Sequence, residues 1–587
     1  MIRTDWHLPF GAQWQNDGTT LFRLWAPGTP EIGLEVEGQD TVPMPHAGEG
    51  WFALRKSCTP GTAYRYVLPD GTCVPDPASR AQRGGVHGWS VVVDPGYAWR
   101  STDWVGRPWN ETILYEAHVG AMGGFSGVRK ALPDLAALGI TALELMPIAD
   151  FPGERSWGYD GVLPFAPASA YGTAEELKAL VDEAHGLGIM MFLDVVYNHF
   201  GPDGNYLNLY AADLFNPALT TPWGAAIAFD RMPVADFFAQ NALYWLNEFR
   251  FDGLRLDAVH AILPHGSVGQ LGAAVRAGVA GARHVHLVLE NEHNDAALLP
   301  APFNAQWNDD IHHCLHVLLT GEDEGYYRDF ADAPAERLAR CLSTGFAYQG
   351  EHSVNLGRPR GTPSHDLPPT AFVSFVQNHD QVGNRAMGER LTGIADLDAL
   401  RAAIALVLLS PQIPMIFMGE ETGTSSPFLF FTDHNPELAE LVREGRRNEF
   451  RTFAAFQDAE RRARIPDPNH PDTFAASIPQ PADTAFDWRA FYGSLIELRQ
   501  RYVIPHLDGV ESLGAQALSD AAVTAAWRLG DGSILTISAN FGDADVAAPA
   551  SRGTVLAFVC ADADALAPGR LPACSTCVTL SPASSLS

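Results

Sequence analysis

A chain of 587 residues, 46% hydrophobic and 18% charged, has the composition of a globular protein with a large core and several domains. Its formal charge of −30 argues against nucleic acid or an anionic membrane surface as the main partner, because both need clustered Lys and Arg. A neutral substrate such as a sugar is compatible with that charge, and the 14 Trp and 31 Phe could stack on sugar rings as well as fill a core.

The start, MIRTDWHLPFG, has no basic segment followed by an apolar run, so no signal peptide is expected. No stretch approaches the roughly 20 apolar residues of a membrane span. From there to about residue 95, FRLWAP (Phe22 to Pro27), IGLEVEG (Ile32 to Gly38), WFALRK (Trp51 to Lys56) and AYRYVLPDG (Ala63 to Gly71) alternate or are β-rich, with Gly, Pro and Asp turns between them. This is the pattern of a small immunoglobulin-like β-sandwich. Structural support for its neighbour is the leading reading, and a glycan-binding-module-like role is the alternative.

Residues 96–500 change rhythm. ILYEAHVG (Ile113 to Gly120), ITALELMPI (Ile140 to Ile148) and MMFLDVVYNH (Met190 to His199) read as strands, separated by the helical runs VRKALPDLAALGI and AEELKALVDEAHGLGI. Strand–helix–strand at this spacing means right-handed βαβ units and a parallel sheet. GLRLDAV, VHLVLEN, a short strand near QWNDD, FVSFVQNHD and IPMIFMGEE complete eight, the number that closes a (β/α)8 barrel, an α/β TIM fold. The Gly-, Pro- and Asn-rich stretch of about 200–236 follows the third strand as a rim excursion. Residues 505–587 return to an antiparallel β domain, with a hairpin turning at Gly530-Asp531-Gly532. The seven Cys include one close pair, Cys574-x-x-Cys577, with no further ligands nearby, so neither a metal nor a cofactor is expected. Their odd number suggests reduced thiols in a cytoplasm. A monomer or homodimer is expected.

Four of the strands end in charge: DVVYNH, GLRLDAVH, HLVLEN and QNHDQVGN. In a parallel barrel those ends share one rim, where the chemistry sits. Arg255 and Asp257 are two apart and so point to the same face, where the guanidinium keeps the carboxylate ionised and able to attack an anomeric carbon. A structural ion pair is the alternative. Glu290 ends an apolar strand, so a raised pKa would let it give a proton to a leaving sugar oxygen, with Glu292 as the competing assignment. Asp380, beside His379, is placed to bind ring hydroxyls and favour an oxocarbenium-like transition state. His199 can donate to a sugar hydroxyl, Asp194 can brace Arg255, and Tyr159 of the WGYD run can stack under the sugar.

The order DVVYNH, GLRLDAVH, strand-end Glu and NHD resembles the α-amylase family of retaining glycoside hydrolases. The resemblance implies Asp257 as nucleophile, Glu290 as general acid/base and Asp380 as transition-state stabiliser, with the working carboxyls about 5–5.5 Å apart. A narrower resemblance rests on YEAHVGAMGGFSG, ELMPIADFPGERSWGYDGV, VYNHFGPDGNYL, TPWGAAIAFD, QNHDQVGNRAMGERL and MGEETGTSSPFLFFTDH, from about Ile113 to His434. These runs look like the malto-oligosyltrehalose trehalohydrolases, which cleave the α-1,4 bond next to a terminal trehalose. Glucan branching enzymes share some of them, and a non-catalytic glucan-binding protein is the remaining alternative. The resemblance also implies that Arg255, His260, His379, Gln381 and Asn384 touch an α-glucan, that QWNDDIHH contributes through Asp309 or Asp310, and that Trp223 stacks on glucose or packs. Ala228 stands where the pattern has Asn, and Met122-Gly123-Gly124 replaces a bulkier loop.

Overall fold

The computed structural model describes residues 8–15, 17–549 and 553–583. Most of the run on which the absence of a leader was read, residues 1–7, and the Ser-rich end past 583 lie outside them. The N-terminal region forms two antiparallel sheets. Thr19–Trp25 is central to one, pairing with Gly11–Trp14 and Trp51–Ser57, and Ala63–Val67 is central to the other. The alternation in TTLFRLW buries Thr20, Phe22 and Leu24 between the sheets and leaves the intervening residues partly exposed, as a period of two requires.

Eight parallel strands close a barrel. They are β1 (Leu114–Ala117), β2 (Ala142–Leu145), β3 (Met190–Val195), β4 (Gly253–Leu256), β5 (His286–Leu289), β6 (Ala305–Trp307), β7 (Phe372–Ser374) and β8 (Ile413–Phe417). All four β1 and β2 residues are buried on both faces, which is why these strands read as apolar runs rather than alternations. The ladders are shorter than the sequence suggested. The strands leave the sheet just past their polar layer, where the rim loops diverge and the ladder has no further partner.

The barrel interior is stacked by register. Leu114, Ala142, Met190, Phe192, Val288, Ala305, Trp307, Val373, Ile413 and Met415 fill its lower part. Two residues further along, the inward positions turn polar: Glu116 pairs in register with Glu144, and Asp194 with Arg255. Gly253 sits beneath Arg255 because Phe192 takes its space; a Cβ there would lie 2.2 Å from the Phe192 ring.

The helices α1 (Gly124–Leu138), α2 (Ala174–Gly186), α3 (Met232–Leu243), α4 (Ser267–Gly278), α5 (Asp309–Thr320) and α6 (Leu397–Leu409) lie between the strands, and α7 (Trp488–Tyr502) follows the last one. Helix α2 starts at a capping box in which Thr173 accepts from the Glu176 amide and the Glu176 side chain returns to the Thr173 amide. Past the barrel, five antiparallel strands form a sheet whose Ser575–Ser581 strand docks on α6, Thr576 donating to the Ala402 carbonyl at 2.8 Å. The hairpin turns at Gly530-Asp531-Gly532, between Ala522–Arg528 and Ile534–Asn540.

Arg499 of α7 is fully buried and donates to the carbonyls of Leu408, Ser410 and Gln412, the unsatisfied end of α6 and the turn into β8. Arg499→Met would strand three buried acceptors. At about 1 kcal/mol or more each, the expected loss is about 3 kcal/mol, read as a lower urea midpoint with the barrel's spectroscopic signature kept.

Candidate active site

Arg255 is the centre of the polar layer. Its side chain is completely buried, its guanidinium lies 4.2 Å over the Trp307 ring, and its Nη1 donates to Asp194 Oδ2 at 2.8 Å and to Asp257 Oδ1 at 2.7 Å. Its Nη2 reaches Glu290 Oε2 at 3.8 Å. One cation from β4 therefore spans the acids at the ends of β3, β4 and β5. The ladder continues one residue into the rim at each place, Asp257 N–H donating to the Val195 carbonyl and Glu290 N–H to the Leu256 carbonyl. The two carboxyls are thus carried on backbone that is still part of the sheet.

The two acids sit in different settings. Asp257 accepts at both oxygens, from Arg255 Nη1 and from Asn198 Nδ2 at 2.8 Å. Glu290 has one strong donor, the Ala258 amide at 2.6 Å. Burial raises the Glu290 carboxyl above its ordinary range, Arg255 opposes the rise, and Asp257 adds to it. The raised Glu290 carboxyl suits the role of proton donor.

Glu290 and Asp380 line a cavity of about 230 Å³ together with His260, Asp309, Gln381 and Asn384. Asp380 is more open than the other two acids, with 39% of its side chain exposed, and its Oδ1 lies 3.4 Å from His379 Nε2. Burial raises Asp309, to about 8, and the nearby Glu290 and Asp380 add to it, so a neutral carboxyl is available to donate to a hydroxyl. Glu292 stands further out, its carboxylate 3.9 Å from His260 Nε2 and 45% exposed.

Other expected contacts are arranged differently. Asp310 does not face the cavity. One residue on from Asp309 along α5 it is turned into the core, wholly buried, ion-paired to Arg360 at 2.7 Å and accepting from the Ala347 amide, so it is corrected from substrate contact to buried brace. Both ring nitrogens of His199 have protein partners, the Asn198 side-chain oxygen and the Tyr159 carbonyl at 3.0 Å, and a sugar hydroxyl would have to share one. Trp223 lies flat on the His199 ring at 4.6 Å, yet remains 49% exposed. Tyr159 stacks on His379 at 5.3 Å, and its hydroxyl bridges Asp194 Oδ2 and His379 Nε2, each at 2.7 Å. Ala228 is buried.

Glu116, Glu144, Asn198 and Trp307 were not singled out for the part they play. Glu116 binds His379 from beneath, Oε1 to Nδ1 at 2.5 Å. Burial opposes charge on His379, but Asp380 and Glu116 outweigh it and lift the imidazole to about 9. Both carboxyl oxygens of Glu144 are buried without hydrogen-bond partners, and its pKa is driven up first by burial, then by Asp194 and Glu116. The signal for the first two was a lone acid inside an otherwise apolar strand. Among the described residues no group of three or more His, Cys, Asp or Glu could hold a metal ion. No helix among them is long and apolar enough to cross a membrane.

The family described as alpha amylase, catalytic domain, matches residues 95–216, and a family described only as a domain of unknown function matches residues 511–578. A malto-oligosyltrehalose trehalohydrolase of Saccharolobus solfataricus is 38% identical over 84% of this chain and 87% of its own. One of Deinococcus radiodurans is 40% identical over 78% of this chain and 76% of its own. A crystal structure of a putative alpha amylase from Salmonella typhimurium superposes with a TM-score of 0.92 at 42% identity, covering 98% of this chain and all of that one. With the closed barrel and its flanking β domains already described, the chain belongs to the malto-oligosyltrehalose trehalohydrolases of the α-amylase family.

Proposed function

We propose that the protein hydrolyses the α-1,4-glucosidic bond next to the terminal trehalose of a malto-oligosyltrehalose, with retention, releasing trehalose and a shortened malto-oligosaccharide. Asp257 attacks the anomeric carbon while Glu290 protonates the departing trehalose oxygen; Glu290 then deprotonates the water that frees the chain. Asp380 holds ring hydroxyls as the sugar becomes cationic. Tyr159, His379, Gln381, Asn384, His260 and Asp309 contact the glucan, and Arg255 holds the Asp257 carboxyl in place. A cytoplasmic location agrees with the odd number of cysteines.

The observation that carries this reading is the single buried guanidinium serving both acids, at 2.7 Å and 3.8 Å, in a chain whose relatives over most of its length bear the trehalohydrolase name. Incubation with malto-oligosyltrehalose and, separately, amylose tests it by sugar chromatography. Free trehalose from the first is the expected result. New branch points from amylose would instead make it a transferase, since both reactions pass through one glycosyl-enzyme intermediate. Saturable glucan binding without cleavage would make it a binding protein.

A further inference from the structure

Glu116 lies on β1, 1% exposed, with no path to a sugar in the cleft. It grips His379 at two points: Oε2 accepts the His379 backbone N–H at 2.9 Å and Oε1 meets the ring Nδ1 at 2.5 Å. The other ring nitrogen, Nε2, meets the Tyr159 hydroxyl at 2.7 Å. That hydroxyl reaches Asp194 Oδ2 at 2.7 Å; the same oxygen accepts from Arg255 Nη1 at 2.8 Å, and Arg255 donates on to Asp257 at 2.7 Å. A continuous hydrogen-bonded chain thus runs round the barrel mouth from Glu116 to Asp257.

We propose that Glu116 is a positioning residue for glycosidic cleavage: by holding His379 as a cation at a fixed orientation, it sets the direction of the protons along this chain and thereby the poses of Tyr159 and Asp380 against the sugar. A doubly protonated ring donates from Nδ1 to Glu116 and from Nε2 to the Tyr159 oxygen. Tyr159 then has one hydrogen left, and it goes to Asp194. With a neutral ring whose single proton stays at Nδ1, Nε2 becomes an acceptor. It would draw the Tyr159 hydrogen away from Asp194 and repel the Asp380 oxygen 3.4 Å away.

The charged and titratable groups facing His379 come from every neighbouring element. Glu116, Asp380 and Asp194 favour the cation, while Arg255 of β4 and His118 past β1 oppose it. Glu144 of β2, buried without a partner, is driven toward its neutral form and does not compete for the charge. Among the described residues Glu116 is the one acid that hydrogen-bonds both the ring and the backbone of His379, so it fixes the orientation as well as the charge.

This rests on the cleft being a glucan-cleaving site, and two readouts separate the two ideas. In the full chain carrying 13Cε1-labelled histidine, the His379 resonance is assigned with His379→Gln and titrated in wild type and in Glu116→Gln. The ring is expected to remain protonated to about pH 8 in wild type and to titrate at least about one pH unit lower in the variant. In parallel, kcat/KM is measured against pH with α-maltosyl fluoride, whose leaving group needs no proton, so that Glu290 does not shape the alkaline limb. Glu116→Gln is expected to lower kcat/KM on the order of 10- to 100-fold and to move that limb to lower pH, with unfolding behaviour close to wild type. An unchanged His379 titration, or an unmoved alkaline limb in a folded variant that has lost activity, overturns the proposal and leaves Glu116 a structural acid. Should Glu116→Gln not fold, Glu116→Asp replaces it: the charge stays but the grip lengthens, and a titration identical to wild type overturns the proposal equally. Failure of wild type to cleave any glucan counts against the proposed function, while the NMR titration still decides the role of Glu116.

Discussion

Asp257→Asn is expected to lower kcat for trehalose release on the order of 10⁴-fold or more, about 5.5 kcal/mol of transition-state stabilisation. The side chain keeps its size, so the cavity survives; what is lost is the anion that forms the covalent bond. An effect confined to kcat is expected because Asp257 is engaged with Arg255 and Asn198 rather than with the hydroxyls that bind the glucan. Some destabilisation accompanies it. Both partners of Asp257 are donors, and an amide nitrogen turned toward either leaves an unsatisfied pair, at about 1–3 kcal/mol. The measurements are kcat on malto-oligosyltrehalose and glucan affinity by calorimetry. A variant that keeps a tenth of wild-type kcat would remove Asp257 from the reaction; one that loses affinity and activity together would make it a binding residue.

Glu290→Gln is expected to cost about 10²- to 10⁴-fold in kcat on malto-oligosyltrehalose and far less in the first step with a leaving group that needs no proton. It should also remove a limb of the pH profile. The acid must carry its proton to work, and burial raises its pKa against the opposing pull of Arg255. Wild-type kcat/KM is therefore present below that raised pKa and falls as pH rises through it. The linked stability has the same sign. A carboxyl whose folded pKa exceeds its unfolded one contributes stability below the unfolded value and loses it as pH climbs through the folded value. Glutamine does not titrate, so the residual activity should be flat across that range. If an alkaline limb that Glu116→Gln does not move persists unchanged in Glu290→Gln, the proton comes from elsewhere, and Asp309, raised to about 8, is the next candidate.

The same polar layer explains why such changes matter at a distance. Arg255 has three acidic neighbours and no exposure, so no single ion pair can be removed without leaving buried charge uncompensated. The chemistry at the rim depends on a balance struck one layer below it.

The strands and their order were legible because a buried parallel strand is an apolar run of fixed length, and alternation with helical runs leaves few topologies open. Arg255 and Asp257 could be put on one face from spacing alone, and the structure places Asp257 Oδ1 2.7 Å from Arg255 Nη1. Asp309 and Asp310 could not be told apart, because they occupy the first turn of a helix whose rotation about its axis is set by packing: one faces the cavity and the other is buried against Arg360. Tyr159 and His199 have partners, His379, Asp194, Trp223 and the Tyr159 carbonyl, on separate elements and loops that no local pattern relates.

By itself the sequence determined which residue types stand at the strand ends, since period-two alternation and apolar length are properties of the local chain. Only the tertiary structure decided which of them share a proton or a charge. That depends on barrel closure, which brings Glu116 of the first strand against His379 past the seventh, 263 residues away, inside a medium too poor in water to screen them.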